Sequence, residues 1–520
     1  MHALAYGFSI GITIIIPLVF AVILRRRFRV SWFLFGVGSL TFIGSQVVHL
    51  PLNNLLTKLG ILPSSAPQGW ALISMAVVLG LTAGLCEELA RALGYYLLKS
   101  SRKFADGVML GLGHGGIEAM ILIGILTAGT IGQLFALRGT DLSTLGMSSE
   151  QLTYITGQME LFNRSPMNAF MPLVERLIAM TLHVVLSMMV LYAFQTRKSR
   201  WVVAAILYHA MVDAVAVLLA SSNTNALVME AAFLATVIPG LIWVFTVFGQ
   251  QAKATAQQVL PVEWGLFWQS FRKEMIQLSR TKMILVILGV FALFGIASPL
   301  LASFLPQIIG SVKGAEMFKD LIPTPTIKDA LEQYLKNISQ FGFLIAILVG
   351  MGQVASEKER GTTEMILNKP LPRWAFILSK FTAQAVVYVA AFAVAELFAY
   401  GYTVYLFQSF SLGVFTLLNF LLLMWLLCFV AITTLASTVS KGIGMAAGVS
   451  LAGAVAIMLS VQIPKYGAIS PQALMSWAGL LAQDQVFNIQ SANFTALGMS
   501  VVLIIMAMVW AVGLFERQEI

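Results

Sequence analysis

Residues 70–98 read WALISMAVVLGLTAGLCEELARALGYYLL, with Glu87, Glu88 and Arg91 as the only charges. The run exceeds the roughly 20 helical residues needed to cross a ~30 Å hydrocarbon core. In lipid such a segment must satisfy its own backbone hydrogen bonds, so it is a helix. Ionisable groups inside it are costly and point to function. Runs of the same kind begin near Ala3, Trp32, Ala105, Ala169, Trp201, Ala226, Met283, Phe341, Trp374, Gly413, Gly442 and Phe494, which makes thirteen with Trp70. Across the 520 residues, 58% are hydrophobic and 11% charged, which excludes an ordinary soluble domain. The sequence therefore predicts an all-α, polytopic helical membrane protein with seven spans followed by six. Cys86 and Cys428 lie in separate apolar runs, so neither a disulfide framework nor a thiolate metal site is expected.

The net charge of +9 is first an orientation signal. With the N-terminus outside, 22 basic residues fall on the inner side and 8 on the outer side, and Arg91 and Arg176 lie within spans. That bias places the N-terminus outside and the C-terminus inside, and nucleic acid is not implied. The first run lacks a preceding basic region and a following cleavage site, so it reads as a retained helix.

Residues 1–249 and 262–520 read as two bundles joined by the polar, proline-closed stretch 250–261, QQAKATAQQVLP. The outer stretch from Ile131 to Met167 has room for a re-entrant or interfacial segment. In residues 262–280, Trp264, Phe267, Trp268, Phe271, Met275 and Leu278 recur at helical spacing with Arg272 and Lys273 opposite. That pattern predicts an amphipathic helix at the inner interface.

Counting at 1.5 Å per residue places Glu87 and Glu88 about 16–18 Å above the inner surface, and His114 at about 16 Å. His209 falls at about 13 Å, Asp213 at about 19 Å and His183 at about 21 Å. Four helices thus bring carboxylates and imidazoles to one level. Glu87 with Arg91, His114 with Glu118, and His209 with Asp213 are each four residues apart and share a helix face. Gly111, Gly113, Gly115 and Gly116 remove side chains around His114, which predicts room for water or a substrate backbone. Such a set can perform hydrolysis, with a glutamate as general base and imidazoles as oxyanion donors or metal ligands. The alternative is polar glue between helices. His49 and the pair Glu175-Arg176 count out near the outer ends and read as structural.

The ordered motifs Glu87-Glu88-Leu89-Ala90-Arg91, His114-Gly115-Gly116-Ile117-Glu118, Glu175-Arg176 with His183, and His209-Ala210-Met211-Val212-Asp213 resemble those of YhfC-like intramembrane proteases, grouped with the CAAX-processing and PrsW-type enzymes. The resemblance implies Glu87 as base with His114 helping to activate water, and His209 and Asp213 on the oxyanion side. It leaves open a zinc ion on His114, His183 and His209. The absence of a His-Glu-x-x-His motif, and a glutamate pair on its own helix, suit a base better than a ligand.

The second half reads as having almost no buried charge, with Glu396 at the outer interface. Its inner loop Ser356-Glu357-Lys358-Glu359-Arg360-Gly361-Thr362-Thr363-Glu364 precedes a proline-bounded stretch to Arg373 and predicts a rigid cytoplasmic knob. With the amphipathic helix before the first span and a larger outer loop from Ser303 to Gln340, this order resembles the permease subunit of type 2 ABC exporters. The resemblance implies that Glu357, Lys358, Glu359, Arg360, Gly361 and Thr362 couple to an ATPase, that permease halves pair as a homodimer, and that ATP is bound by a separate subunit. No Gly-x-x-x-x-Gly-Lys-Ser/Thr loop occurs in the chain. The expectation is a multi-pass protein of the bacterial cytoplasmic membrane that processes or exports a peptide or amphipathic molecule. The alternative is an efflux or self-protection transporter with an inactive protease-like half.

Overall fold

The computed structural model describes the chain except for residues 1, 64–66, 126–136, 138–154, 158, 160–168, 222–225, 256–263, 311–323, 465, 488–490 and 520. The described residues are helical with no strand, and they divide into two compact units, Met1–Pro261 and Val262–Ile520.

The first unit consists of α1 (His2–Phe28), α2 (Trp32–Lys58), α3 (Trp70–Leu97), α4 (Phe104–Glu118), α5 (Met171–Thr196), α6 (Arg200–Ala220) and α7 (Ala226–Thr255). Ser31 starts α2 by accepting a hydrogen bond from the Phe33 amide, a side-chain cap that satisfies an otherwise orphan donor. α3 packs along α6, α2 along α4, and α4 along α5. α5 is the most enclosed of these helices, with Leu182, Val185, Leu186, Met188 and Leu191 all buried.

The second unit opens with α8 (Trp264–Arg280) and continues with α9 (Met283–Gly310), α10 (Ile327–Gly350), α11 (Ala355–Glu359), α12 (Thr362–Leu367), α13 (Arg373–Leu406), α14 (Leu412–Val439), α15 (Ile443–Leu459), α16 (Ala473–Asp484) and α17 (Ser491–Glu516). α14 runs through its core, where Phe415, Leu418, Leu422, Trp425 and Phe429 meet Tyr334 of α10 and Tyr388 and Phe392 of α13. The Tyr334 hydroxyl donates to Asn419 Oδ1 at 2.5 Å within this core.

Among the described residues, twelve helices are long and apolar enough to span a membrane. They correspond to twelve of the thirteen expected runs. The run from Ala105 differs: its α-helix ends at Glu118 and gives way to a π-helix over Ala119–Ile125. π-helical turns of this sort recur at functional sites, and this one follows a candidate site residue directly.

The expected outer loop from Ser303 to Gln340 is shorter than the sequence suggested. α9 persists to Gly310, and α10 begins at Ile327 because Asp329 Oδ2 accepts from both the backbone and the hydroxyl of Thr326 at 2.7 Å. Charged first turns hid this start from a hydropathy reading. The polar stretch expected as a linker from Gln250 begins as the last turns of α7. The 12-residue helix α16 is a further addition; at about 18 Å it is too short to cross. The expected segment between Ile131 and Met167 lies largely outside the described residues.

Candidate functional site

The first unit gathers its charged residues where α3, α4, α5 and α6 meet. Glu88, Arg91 and His114 are fully enclosed, and Glu87, His183 and His209 nearly so. Close backbone approach is what permits this. A Cβ on Gly113 would overlap the Phe35 carbonyl of α2, and one on Gly80 the Ala210 carbonyl of α6. The expectation that the glycines around His114 leave open room is therefore corrected. Gly111 meets Val184 of α5, Gly115 meets His183, and Gly116 meets Pro17 of α1. The space is filled by neighbouring helices, as small residues allow in membranes.

Two of the three pairings expected from spacing resolve differently. Arg91 Nη1 donates to both oxygens of Glu88 at 2.6 Å and not to Glu87. Glu87 Oε2 instead meets His114 Nε2 at 3.0 Å, while its Oε1 accepts from Gln46 Nε2 at 3.1 Å. Glu118, one turn beyond His114, pairs with His183 Nε2 and with Arg176 Nη1 at 3.0 Å. Only His209 and Asp213 remain together, at 3.5 Å. Glu87 and Glu118 have taken partners on other helices, whereas Arg91 keeps a partner on its own helix one position nearer than expected.

Hydrogen-bond direction assigns the imidazole protons. Arg91 Nη2 can only donate, so His183 Nδ1 accepts its bond at 3.1 Å and the His183 proton sits on Nε2, towards Glu118. His209 Nδ1 donates to Glu88 Oε1 at 2.9 Å, which turns Nε2 towards Glu87 Oε2 at 3.9 Å. His114 Nδ1 bonds the Thr41 hydroxyl at 2.9 Å. The three rings lie close together, with centroids of His114 and His183 4.9 Å apart in a tilted pair and of His183 and His209 5.5 Å apart edge to face.

In the second unit the expected knob is α11 and α12, hinged at Gly361 with φ of +68°, a left-handed conformation that glycine adopts without strain. Its residues divide by direction. Glu359, Arg360 and Glu364 are exposed. Glu357 turns inward: its carboxylate binds Lys273 Nζ of α8 at 2.7 Å and Lys380 Nζ of α13 at 3.0 Å. Glu274 completes a quartet, with its Oε1 2.8 Å from Lys273 and 3.0 Å from Lys380. Burial opposes the charge on Lys273, but the adjacent Glu274 and Glu357 outweigh it and raise that ammonium above the ordinary lysine range. Lys358 also faces inward, donating to the Thr438 carbonyl at 2.8 Å and to Gln518 Oε1 at 3.1 Å. Ser437 Oγ accepts from the Val354 and Ala355 amides at 3.0 Å, fastening the start of α11 to α14. Thr362 Oγ1 donates to the Glu357 carbonyl at 2.9 Å.

Residues 12–234 match the family described as YhfC intramembrane metalloprotease, and residues 268–520 match the family described as ABC-2 family transporter protein. The chain joins a YhfC-type domain to an ABC-2 transporter membrane domain. The Bacillus subtilis (strain 168) membrane protein YhfC is 27% identical over 213 residues, 40% of this chain and 81% of that protein. The transmembrane protein YxlG of the same organism is 27% identical over 232 residues, 43% of this chain and 87% of its own length. No solved structure matches the chain significantly. The ABC-2 domain implies a membrane setting and an ATPase partner.

In the YhfC-type domain, the candidate residues Glu87, Glu88, Arg91, His114, Glu118, His183, His209 and Asp213 all join one network. Three further members are not among the candidate site residues. Arg176 reads as a structural, outer-end residue but holds Glu118, while Thr41 and Gln46 hold His114 and Glu87. The signal for α2 lay in Thr41, Ser45, His49 and Asn53, polar residues at steps of four in an apolar run. In the ABC-2 domain, the expectation of almost no buried charge is corrected by Lys380 at 1%, Glu274 at 6% and Glu357 at 8% exposure. Each stands near an inner helix end and reads as solvated, and only pairing among three separate segments encloses them.

A metal site was expected, if at all, on His114, His183 and His209. Among the described residues, the group able to hold an ion is Glu87, His183 and His209, with one ligand atom from each within 4.8 Å of the others. Two imidazoles and a carboxylate form the donor set of a catalytic zinc centre. The bond from His209 Nδ1 to Glu88 is the outer support such ligands use. The donor set fits a zinc-type ion once His183 gives up both its bond to Glu118 and, because a metal on Nε2 leaves the proton on Nδ1, the bond it accepts from Arg91.

Proposed function

We propose that the chain is the membrane subunit of an ATP-driven exporter whose YhfC-type domain cleaves peptide bonds within the bilayer, so that processing and export of a peptide or amphipathic cargo reside in one polypeptide. The observation that carries the reading is the convergence on Glu87: its carboxylate lies 3.0 Å from His114 Nε2 and 3.9 Å from His209 Nε2, enclosed at membrane depth.

Hydrolysis needs a group that takes a proton from water and donors for the oxygen that becomes negative. Glu87 takes the proton, while Gln46 and His114 fix its two oxygens. His209, oriented by Glu88 and flanked by Asp213, supplies the hydrogen bond to the developing oxyanion. Arg91 neutralises Glu88, and Glu87, unlike Glu88 and Glu118, has no guanidinium bonded to it. Glu118 and Arg176 hold His183 in place. A zinc-type ion, where bound, would be held by Glu87, His183 and His209 and would supply Lewis-acid polarisation of water or the scissile carbonyl, in place of the base role of Glu87 and the oxyanion bond from His209.

On the transport side, the exposed residues Glu359, Arg360 and Glu364 form the docking surface for the ATPase, and the inward-facing Glu357 and Lys358 anchor that surface to the spans. The test is purification of the chain with its ATPase and incubation with a panel of membrane-spanning peptides. Wild type cleaves, and Glu87→Gln does not, although it folds and retains ATPase binding. Equal cleavage by both proteins would overturn the assignment of Glu87. Cleavage by neither, with ATPase activity that responds to drugs, would leave the efflux reading.

A further inference from the structure

Peptide-bond hydrolysis adds hydroxide to the acyl carbon and a proton to the departing amine, so each turnover consumes one water. Glu87 lies in a zone where hydrocarbon supplies almost none, and the site therefore needs a route to an aqueous face. α2 lays Gln46, His49 and Asn53 on one side at helical spacing, 12, 9 and 5 residues before its end at Lys58. These steps correspond to depths of about 18, 14 and 8 Å below that end. Thr82 of α3 borders the same stripe.

The bonds along the stripe leave one donor over. Asn53 presents its amide nitrogen to His49 Nε2 at 2.9 Å and its Oδ1 to the Thr82 hydroxyl at 2.8 Å, a hydroxyl that also lies 3.0 Å from the Leu79 carbonyl and 3.3 Å from His49 Nε2. His49 Nε2 is thus the acceptor, and the ring proton belongs to Nδ1. That Nδ1 is enclosed and has no hydrogen-bond partner. A buried polar group in this state costs about 1–3 kcal/mol unless something binds it, and water is the usual occupant. One turn deeper, Gln46 spends its amide on Glu87 Oε1 at 3.1 Å and Ser45 Oγ at 3.3 Å, which leaves its carbonyl oxygen as an acceptor. A water between the His49 donor and the Gln46 acceptor would have a partner on each side. The neighbouring residues Val47 and Val48 face away, exposed at 70% and 59%, as lipid-facing positions are.

We propose that Gln46, His49, Asn53 and Thr82 hold a file of water that reaches Glu87 from the membrane face carrying the loop between α2 and α3. The inference rests on the reading of Glu87 as the hydrolytic carboxylate, yet the route can be tested without catalysis. In the full chain with Cys86→Ala and Cys428→Ala, single cysteines replace Gln46, His49 or Asn53 in sealed vesicles of known orientation. The probe is a membrane-impermeant, anionic methanethiosulfonate, and Leu59→Cys marks the loop side. Only a hydrated thiol ionises and reacts, since burial in lipid raises its pKa by two units or more and slows it about a hundredfold. The expected result is reaction at all three positions from the Leu59 side, slower with depth, with Val47→Cys and Val48→Cys about a hundredfold slower than His49→Cys. Thr82→Cys gives the same test from α3 should an α2 variant fail to fold. Reaction at Gln46→Cys and His49→Cys no faster than at the valines, or only from the opposite face, would overturn the route. Cleavage unaffected by Glu87→Gln would instead overturn the catalytic reading and leave the labelling result intact.

Discussion

Replacing Lys380 with methionine removes one cation from a quartet that is otherwise charge-balanced. The ammonium is 1% exposed and lies 3.0 Å from both Glu274 Oε1 and Glu357 Oε2. Removing one partner of a buried ion pair costs about 3–5 kcal/mol, because the remaining charge stays desolvated. Lys273 continues to touch both carboxylates from the rim, which places Lys380→Met at the low end, about 3 kcal/mol, or roughly a hundredfold in equilibrium. Polytopic proteins unfold irreversibly in detergent, so the quantity to read is the thermal inactivation half-life at fixed temperature. A shortening of ten- to a hundredfold is expected. The variant Lys380→Met/Glu274→Gln/Glu357→Gln removes both desolvated carboxylates and leaves Lys273, 40% exposed at the rim, to be solvated, so it should return to within about 1 kcal/mol of wild type. Wild-type persistence of Lys380→Met, or a triple variant no better than the single, would refute the account. With the ATPase bound, the triple variant should hydrolyse ATP but lose the coupling of hydrolysis to movement of α13, since the knob no longer grips that helix.

Thr41→Val deletes the hydroxyl bonded to His114 Nδ1 and should lower kcat/KM for peptide cleavage by about fivefold, the worth of one hydrogen bond, with KM unchanged. Gly113→Ala puts a methyl group against the Phe35 carbonyl, and overpacking of this kind costs about 1–3 kcal/mol, visible as a shortened half-life in the same assay. Metal analysis after zinc equilibration decides the ligand set: one equivalent kept in His114→Ala and lost in His183→Ala and His209→Ala assigns the ion to Glu87, His183 and His209, whereas no zinc in wild type leaves Glu87 as base and His209 as oxyanion donor. Zinc lost only from His114→Ala would return the ligand set to the three histidines.

Much of this architecture was legible in the sequence because spans and depths depend only on length, hydropathy and rise per residue. Glu87, His114, His183 and His209 could be placed at one level by counting, and they meet there. Counting could not choose partners. Whether Arg91 takes Glu87 or Glu88 depends on how far α3 is rotated, and that is set by Gly80 and Gly84 lying against the Ala210 and Ile206 carbonyls of α6. The quartet stayed hidden for a related reason. Glu274, Glu357 and Lys380 come from segments distant in sequence, and each alone looks like an ordinary charge near an inner helix end. The early start of α10 was masked by Asp329 and Lys328, which lower local hydropathy while Asp329 caps the helix.

The glycine contacts around the site have a consequence for how the YhfC-type domain meets different membranes. α2 and α4, and α3 and α6, touch through backbone atoms at Gly38, Gly113, Gly80 and Gly84 with no compressible side chain between them. When a bilayer is thinner or thicker than the helices, a loosely packed bundle can respond by sliding or retilting one helix against another. These helices are keyed together, so mismatch must be taken up by tilting the group as a whole or by deforming the surrounding lipid. The distances among Glu87, His114 and His209 should therefore be insensitive to acyl-chain length, and the bilayer should control access to the chemistry more than its geometry.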